Sequence, residues 1–543
     1  MEKKTTISKE NTQRQATNQT SNLEVIKTDA EHFNNIVFNL LEKNYRLAHM
    51  FATDDIASNK TFGVHVLLTP EAKNEWIQVS IALPEKNPKY ESLTKTLPST
   101  NWYERYIMDM FGIVAEGHPD HRRLVHHENM PLNTHPLRKD FAWNTVLKKE
   151  NHPHPMHHVE GNGIYEIPVG PIHAGIIEPG HFRFNVAGER IITLEGKLFF
   201  THKGAEKIME GKKLEEALPF VERISTDSAA GHALAYCQTV EKITNTKISE
   251  KATLLRTLIA ELERITMHIH DLANIAGMGT GYSVMAAHGF RIKEKLVRLS
   301  EELFGNRFWR GFIVPGGVDK DLEKSELKLI SETTKEVVEE MQDLLKMGLN
   351  SDGLCERLVS SGVLKPEAAK AYGAVGIAAR ASGINMDTRV DHPYAAYPKL
   401  NFTVAVKQGN GVFARYMVRV EELEASYAMV QELLKFLGQS KEVKGKAHVK
   451  SEINFIAAQS ANKANQKNAA ASANEAISAV EGWRGEIIYF IRLDEKGLID
   501  RISVRDPSFC NWPLFGEIGP GNIVPDFPLC NKSLDLSYSG TDL

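Results

Sequence analysis

One stretch constrains the fold more than any other. From Ala252 to Ala276 the apolar residues Leu255, Leu258, Ile259, Leu262, Ile265, Ile269 and Leu272 recur mostly at three- and four-residue steps. That repeat places them on one buried face of a helix. The same stretch carries Arg256, Glu261, Glu263, Arg264, His268, His270 and Asp271. Glu261, Arg264 and His268 are three and four residues apart, so they share a face. The favoured reading is a structural network of ion pairs inside a mainly helical body.

The rest of the chain divides around that helix. Residues 1–22 form a polar lead with no apolar core, expected to be disordered and not a secretory signal. Residues 23–147 read as a small α/β domain: a helix over Ala30–Leu41, strands over Arg46–Ala52, Thr61–Leu68 and Trp76–Leu83, and a helix over Trp102–Phe111. Residues 148–163 form a linker broken by Pro153, Pro155, Gly161 and Gly163. Its histidines, His152, His154, His157 and His158, invite a metal, but no carboxylate or cysteine stands at a fixed helical offset. They are read as polar linker.

Residues 164–543 form the second, larger part. Ile164–Glu195 reads as short strands, Asp321–Met347 and Val412–Leu437 as long helices, and Ala457–Ala479 as an exposed helix or flexible insertion. Glu486–Leu493 and Ile499–Val504 read as a hairpin, followed by a buried irregular tail. The fold class is therefore α+β: a small α/β domain, then a mainly α domain with small β-sheets at its N- and C-terminal parts.

Composition excludes several classes. Charged residues make up 25% of the chain, the net charge is −4, and Lys and Arg are dispersed, so no nucleic-acid footprint is expected. No run reaches the ~18 apolar residues of a membrane span. The cysteines Cys237, Cys355, Cys510 and Cys530 form no C-x-x-C pair, which argues against zinc or iron–sulfur ligation and fits a reducing, cytoplasmic compartment. Cys510 reads as a small buried hydrophobe. No Gly-x-Gly-x-x-Gly fingerprint is present, so NADH is expected to bind elsewhere.

Two sets of motifs carry a resemblance. Trp102-Tyr103-Glu104-Arg105-Tyr106 through Phe111-Gly112, with His118-Pro119-Asp120 and His135-Pro136-Leu137-Arg138-Lys139-Asp140-Phe141, resembles the C subunit of complex I. Gly170-Pro171-Ile172-His173, Glu178-Pro179-Gly180-His181-Phe182-Arg183, Val314-Pro315-Gly316-Gly317, Arg389-Val390-Asp391-His392-Pro393 and Arg484-Gly485-Glu486 resemble the large subunit of membrane-bound nickel–iron hydrogenases of the formate hydrogenlyase type, and its sister, the D subunit of complex I. The resemblance implies a peripheral subunit on the inner face of the membrane. Its implied partners are an iron–sulfur small subunit, similar to the B subunit of complex I and carrying a 4Fe–4S cluster, a ferredoxin-like subunit and antiporter-like membrane subunits. It also offers an alternative for the charged helix, a path toward the membrane arm.

The resemblance also shows what is missing. The thiolate positions of the nickel–iron site are matched by Ser225, Ser228, Ser537 and Gly540. A serine hydroxyl is a hard, weakly acidic donor and glycine is none, so no nickel and no hydrogenase activity are expected. The quinone-clamping His and Tyr of complex I are matched by Ile177 and Thr226, which do not replace them; a different pose using His173 or His181 is the alternative. Glu178 matches the proton-relaying carboxylate of hydrogenases, or else pairs with an arginine such as Arg380. His232 either lines the emptied cavity or is a hydrogen-bonded core histidine. Asp391 is expected to fix the tautomer of His392. These residues, with Thr226, are the candidate site. No cofactor held by the chain itself is expected, and quinone is the candidate substrate. The expected function is electron transfer to quinone or another acceptor coupled to ion translocation; a non-catalytic scaffold is the alternative.

Overall fold

The computed structural model describes residues 22–71, 74–173, 177–439, 450–451 and 474–543. The polar lead, residues 1–21, lies outside them. The chain opens with β1 (Asn22–Thr28), α1 (Ala30–Glu42), β2 (Tyr45–Asp55), β3 (Thr61–Pro70), β4 (Glu75–Pro84) and α2 (Asn101–Phe111). The four strands form one sheet in the order β1-β4-β3-β2. β1 runs parallel to β4 and the other pairs are antiparallel. β1 adds to the expected elements: its sequence, Asn-Leu-Glu-Val-Ile-Lys-Thr, abuts the polar lead and alternates too briefly to stand out.

The second part begins with a three-stranded antiparallel sheet: β5 (Ile164–Val169), β6 (His181–Ala187) and β7 (Arg190–Lys197). Five long helices follow: α3 (Ala229–Thr244), α4 (Glu250–Asn274), α5 (Ser283–Phe304), α6 (Lys324–Leu349) and α7 (Val412–Gln439). α4 is the helix expected from its apolar repeat, and it runs into a wider π-helical turn at Ile275–Gly279. Glycines bring α5 against α4: a Cβ at Gly289 would stand 2.3 Å from Ala273 Cβ. Among the described residues, no helix is long and apolar enough to cross a membrane.

A second three-stranded sheet, β8 (Glu475–Glu481), β9 (Glu486–Leu493) and β10 (Ile499–Arg505), closes the body. Here one expectation is corrected. In place of a helix or insertion over Ala457–Ala479, Glu475–Glu481 is a strand; residues 457–473 lie outside the described residues. Its small side chains are covered from far away. Ile477 and Ala479 pack with Ile488 and Phe490 against Phe51, Leu67 and Trp76 of the first sheet, and the Phe51 and Phe490 rings stand 4.3 Å apart. The tail after β10 is largely buried, but in place of the expected irregular run it forms short helices at Pro507–Asn511, Phe515–Ile518 and Phe527–Leu534, ending in α8 (Tyr538–Asp542).

The two sheets are also tied by charge. Glu486 is fully buried and accepts from Arg46 Nη2 at 2.7 Å and Arg505 Nη2 at 2.9 Å. Arg505 Nη1 donates to Ala48 O at 2.7 Å. Removing one member of a buried pair leaves the others uncompensated. Glu486→Ala should therefore lower unfolding free energy by about 3–5 kcal/mol in chemical denaturation, whereas Glu486→Gln, which keeps one acceptor oxygen, should cost less.

Candidate functional site

The four positions matched to metal-binding thiolates converge in space. Ser225 and Ser228 flank the short turn before α3, and Ser537 caps the N-terminus of α8. Ser225 Oγ donates to Asp227 Oδ1 at 2.8 Å and lies 2.9 Å from Ser537 Oγ. Gly540 N donates to Ser537 Oγ at 2.9 Å. The hydroxyls are thus spent on each other and on the helix cap.

Arg484 fills the remaining polar space. Its guanidinium grips Asp227 in a two-pronged pair at 2.8 and 2.7 Å, its Nε donates to Asp535 O, and it lies 3.9 Å over the Trp483 ring. Trp483 Nε1 donates to Asp227 O at 2.8 Å. Burial alone would raise the Asp227 carboxyl, but the Arg484 charge and hydrogen bonds outweigh it and bring it down to about 2. The void beside Thr226, Asp227 and Glu263 measures about 10 Å³, at the lower limit for one water.

These residues do not fit a nickel–iron centre. No sulfur is present, the hydroxyls already have partners, and a Cβ at Gly540 would stand 2.7 Å from Asp506 Oδ2. Asp506 is held there by His232 Nε2 at 3.1 Å, while Tyr489 OH lies 2.9 Å from His232 Nδ1. His232 is accordingly fully buried and hydrogen-bonded, the core-histidine alternative.

Other expected residues are placed as follows. Glu178 reaches the same centre: its Oε2 accepts from Ser539 N at 3.0 Å. It does not pair with Arg380, which corrects that expectation. Arg380 is fully buried elsewhere, donating to Glu422 Oε1 at 2.9 Å and Glu481 Oε1 at 2.7 Å. The reason lies in the fold: Arg380's acids come from α7 and β8, whereas Glu178 sits on an exposed turn. His173 Nε2 donates to Gly180 O at 2.7 Å and His181 Nδ1 to Gly170 O at 3.1 Å, so both tie their own loop together; Ile177 packs on apolar neighbours. Residues 174–176 of that loop lie outside the described residues.

Asp391 and His392 are also corrected. Asp391 does not bond His392; its Oδ2 accepts from Asp387 N at 3.0 Å. His392 turns away to the first sheet, stacking on Trp76 at 4.2 Å with Thr69 Oγ1 2.9 Å from its Nε2. Burial raises Asp391 to about 6 and lowers His392 to about 3.

Arg380 belongs to a buried ionic lattice. Glu422 also lies 2.8 Å from His268 Nε2, and Arg264 Nε lies 3.4 Å from Glu261. Arg389 bridges Asp387 and Glu261. This realises the ion-pair reading of α4. The lattice and the serine centre meet at the turn Glu481–Glu486, where the backbone of Gly376 is pressed on that of Arg484: a Cβ at Gly376 would stand 1.9 Å from Arg484 O. Sequence reasoning missed Asp227, Asp506 and Glu481. Asp227 lies inside a segment whose letters matter first for their lack of cysteine, and Asp506 could have been found as the N-cap before Pro507. Elsewhere, a cleft of about 470 Å³ is lined by His126, His127, Phe199, Phe200 and His202.

Fold and site together define a large-subunit scaffold of the respiratory and hydrogenase type, with a serine centre closed by an arginine–aspartate pair. Residues 26–146 match the family described as respiratory-chain NADH dehydrogenase, 30 Kd subunit, and residues 279–543 the 49 Kd subunit family. Formate hydrogenlyase subunit 5 of Escherichia coli is 30% identical, over 91% of this chain and 84% of that protein. Hydrogenase-4 component G of the same organism is also 30% identical, over 91% and 83%. A fused C/D subunit of NADH-quinone oxidoreductase from Aquifex aeolicus is 28% identical, over 89% of each chain. A chain from the membrane-bound sulfane sulfur reductase, an archaeal respiratory membrane complex, shares the fold with TM-score 0.63 at 23% identity, covering 71% of this chain and all of that one. The chain belongs to the family of fused 30-kDa/49-kDa subunits that includes the C/D subunit of complex I and formate hydrogenlyase subunit 5.

The serine centre can be probed by pH and by bulk. Asp227 is held below its ordinary 3.8, so its contribution is full above that value and is lost as pH falls through about 2. Arg484→Ala should cost about 3 kcal/mol, the low end for a broken buried pair because the Asp227 side chain keeps 29% exposure. In acid titration followed by circular dichroism, the variant should unfold at higher pH than the wild type. Gly540→Ala should destabilise by about 1–3 kcal/mol through overpacking on Asp506, read as a lowered denaturation midpoint.

Proposed function

We propose that this chain is the peripheral redox subunit of a membrane-bound respiratory complex, transferring electrons to a quinone or a related acceptor and coupling that transfer to ion translocation. Its electrons come from a 4Fe–4S cluster in an adjoining small subunit of the type that complex I calls B. A ferredoxin-like subunit and antiporter-like membrane subunits complete the assembly on the inner face of the cell membrane. Reduction of a quinone to its quinol takes two electrons from that cluster and two protons, the latter supplied through acidic side chains.

The observation that carries this reading is Glu178. It stands beside the serine centre, bonded to Ser539 of α8, although no metal-binding sulfur is there for it to serve. A proton-relaying carboxylate present without the metal ligands supports proton-coupled chemistry without nickel. His173 and His181 flank the same turn and offer the alternative quinone contacts. The name of the Aquifex relative, an NADH-quinone oxidoreductase subunit, points to the same acceptor class.

A second reading, a non-catalytic scaffold, is favoured by one feature: Ser225, Ser537, Asp227 and Arg484 satisfy one another, and the void beside Asp227 measures only about 10 Å³. The two readings part in one experiment. The complex purified with its native partners should reduce a short-chain quinone analogue, and Glu178→Gln should lower kcat by about a hundredfold. Unchanged turnover in the Glu178 and His173 variants would leave the scaffold. Stoichiometric nickel in elemental analysis would overturn both.

A further inference from the structure

One cluster near the serine centre has no part in the reading above. Asp271, near the end of α4, and Asp535, in the turn before α8, bring a carboxyl oxygen each within 4.8 Å of the other. With His270, one ligating atom from each lies within 4.8 Å of the other two. Asp271 is fully buried. Its Oδ2 accepts from Arg419 Nε at 2.6 Å, whereas its Oδ1 has no hydrogen-bond partner among the described residues.

Two ionised carboxylates this close repel, and a buried oxygen without a donor is costly. A single proton between them removes both problems. A divalent cation would do the same, but the surroundings already supply positive charge. Arg419 holds Asp271, Arg484 Nη2 lies 3.6 Å from Asp535 Oδ2, and Lys293 Nζ lies 3.3 Å from His270 Nδ1. Lys532 adds its charge to Asp535 and His270. Asp227 is the remaining acid facing His270, and it is matched by Arg484. A dication would enter against four cations; a proton is the smallest charge that satisfies the pair.

We propose that Asp271 and Asp535 hold one proton between them as a buried acid pair, with His270 as its link toward the surface. The division of roles is set by environment. Burial and then the Asp535 charge push Asp271 well above the usual carboxylate range. Burial also opposes ionisation of Asp535, but the charges of Arg484 and Lys532 outweigh it and hold Asp535 low. Burial lowers His270 to about 4, so it is neutral near pH 7. With Lys293 donating to Nδ1, its other nitrogen carries the hydrogen. The shared proton is independent of quinone reduction: it is held whether or not the chain turns over an acceptor.

Infrared spectroscopy of the full chain tests it. Near neutral pH the wild type should show a protonated-carboxyl band that shifts in deuterium oxide. Asp271→Asn and Asp535→Asn should each remove that same band, while Glu263→Gln, whose acid burial raises to about 8, should remove a different one. A band lost in only one aspartate variant, or in neither, overturns the shared proton. So does stoichiometric manganese or zinc in the wild type that disappears in Asp271→Asn. Should a variant fail to fold, the wild type labelled at its aspartate carboxyls decides the matter by nuclear magnetic resonance. On the alkaline side of neutral, Asp391 and Asp542, both raised to about 6, are ionised. One aspartate should still report a proton there; none doing so overturns the proposal.

Discussion

The structure turns on the guanidinium of Arg484. It sits among the positions matched to metal-binding thiolates, and its charge outweighs the burial that would otherwise raise the Asp227 carboxyl. Its neighbours along the chain do equivalent work. Glu481 closes on Arg380, Trp483 anchors the turn before α3, and Glu486 joins Arg46 to Arg505. One short turn therefore satisfies buried charges from the first sheet, the helical body and the C-terminal tail. Buried ion pairs contribute little net stability when intact, but breaking one is severe. Such a turn specifies how the parts sit together more than how firmly each one folds.

Serine and glycine in place of sulfur are bound into their surroundings. Ser225 and Ser537 are hydrogen-bonded across the space, Asp506 occupies the volume a side chain at position 540 would need, and His232 and Tyr489 hold Asp506 in place. The donors are paired as a set. Exchanging one of them alone would leave others unmatched, which makes the closed arrangement self-reinforcing.

Local pattern makes much of this fold legible. α4 is readable because seven apolar residues mark one face, and β2, β3 and β4 because their strand-like runs are bounded by turns. β8 is not, because Ala476, Ser478 and Ala479 say little by themselves and their burial is supplied by Phe51 and Trp76 from the other end of the chain. The candidate site divides the same way. The serine and glycine replacements are visible as letters within motifs. The partners of Arg380 and His392 are not, since they come from elements that meet only in the folded chain. Asp227 is in plain view, yet its meaning depends on Arg484, which arrives from the β8–β9 turn.

The contact between Gly376 and Arg484 has a mechanical consequence. Most long-range contacts in proteins run through side chains, whose rotamers absorb small displacements. Here two main chains touch with nothing between them. Gly376 begins the short helix that carries Arg380, so that helix rests directly on the main chain of the turn that carries Arg484. The salt-bridge lattice and the serine centre thus share one seam at which any side chain on residue 376 would collide with backbone.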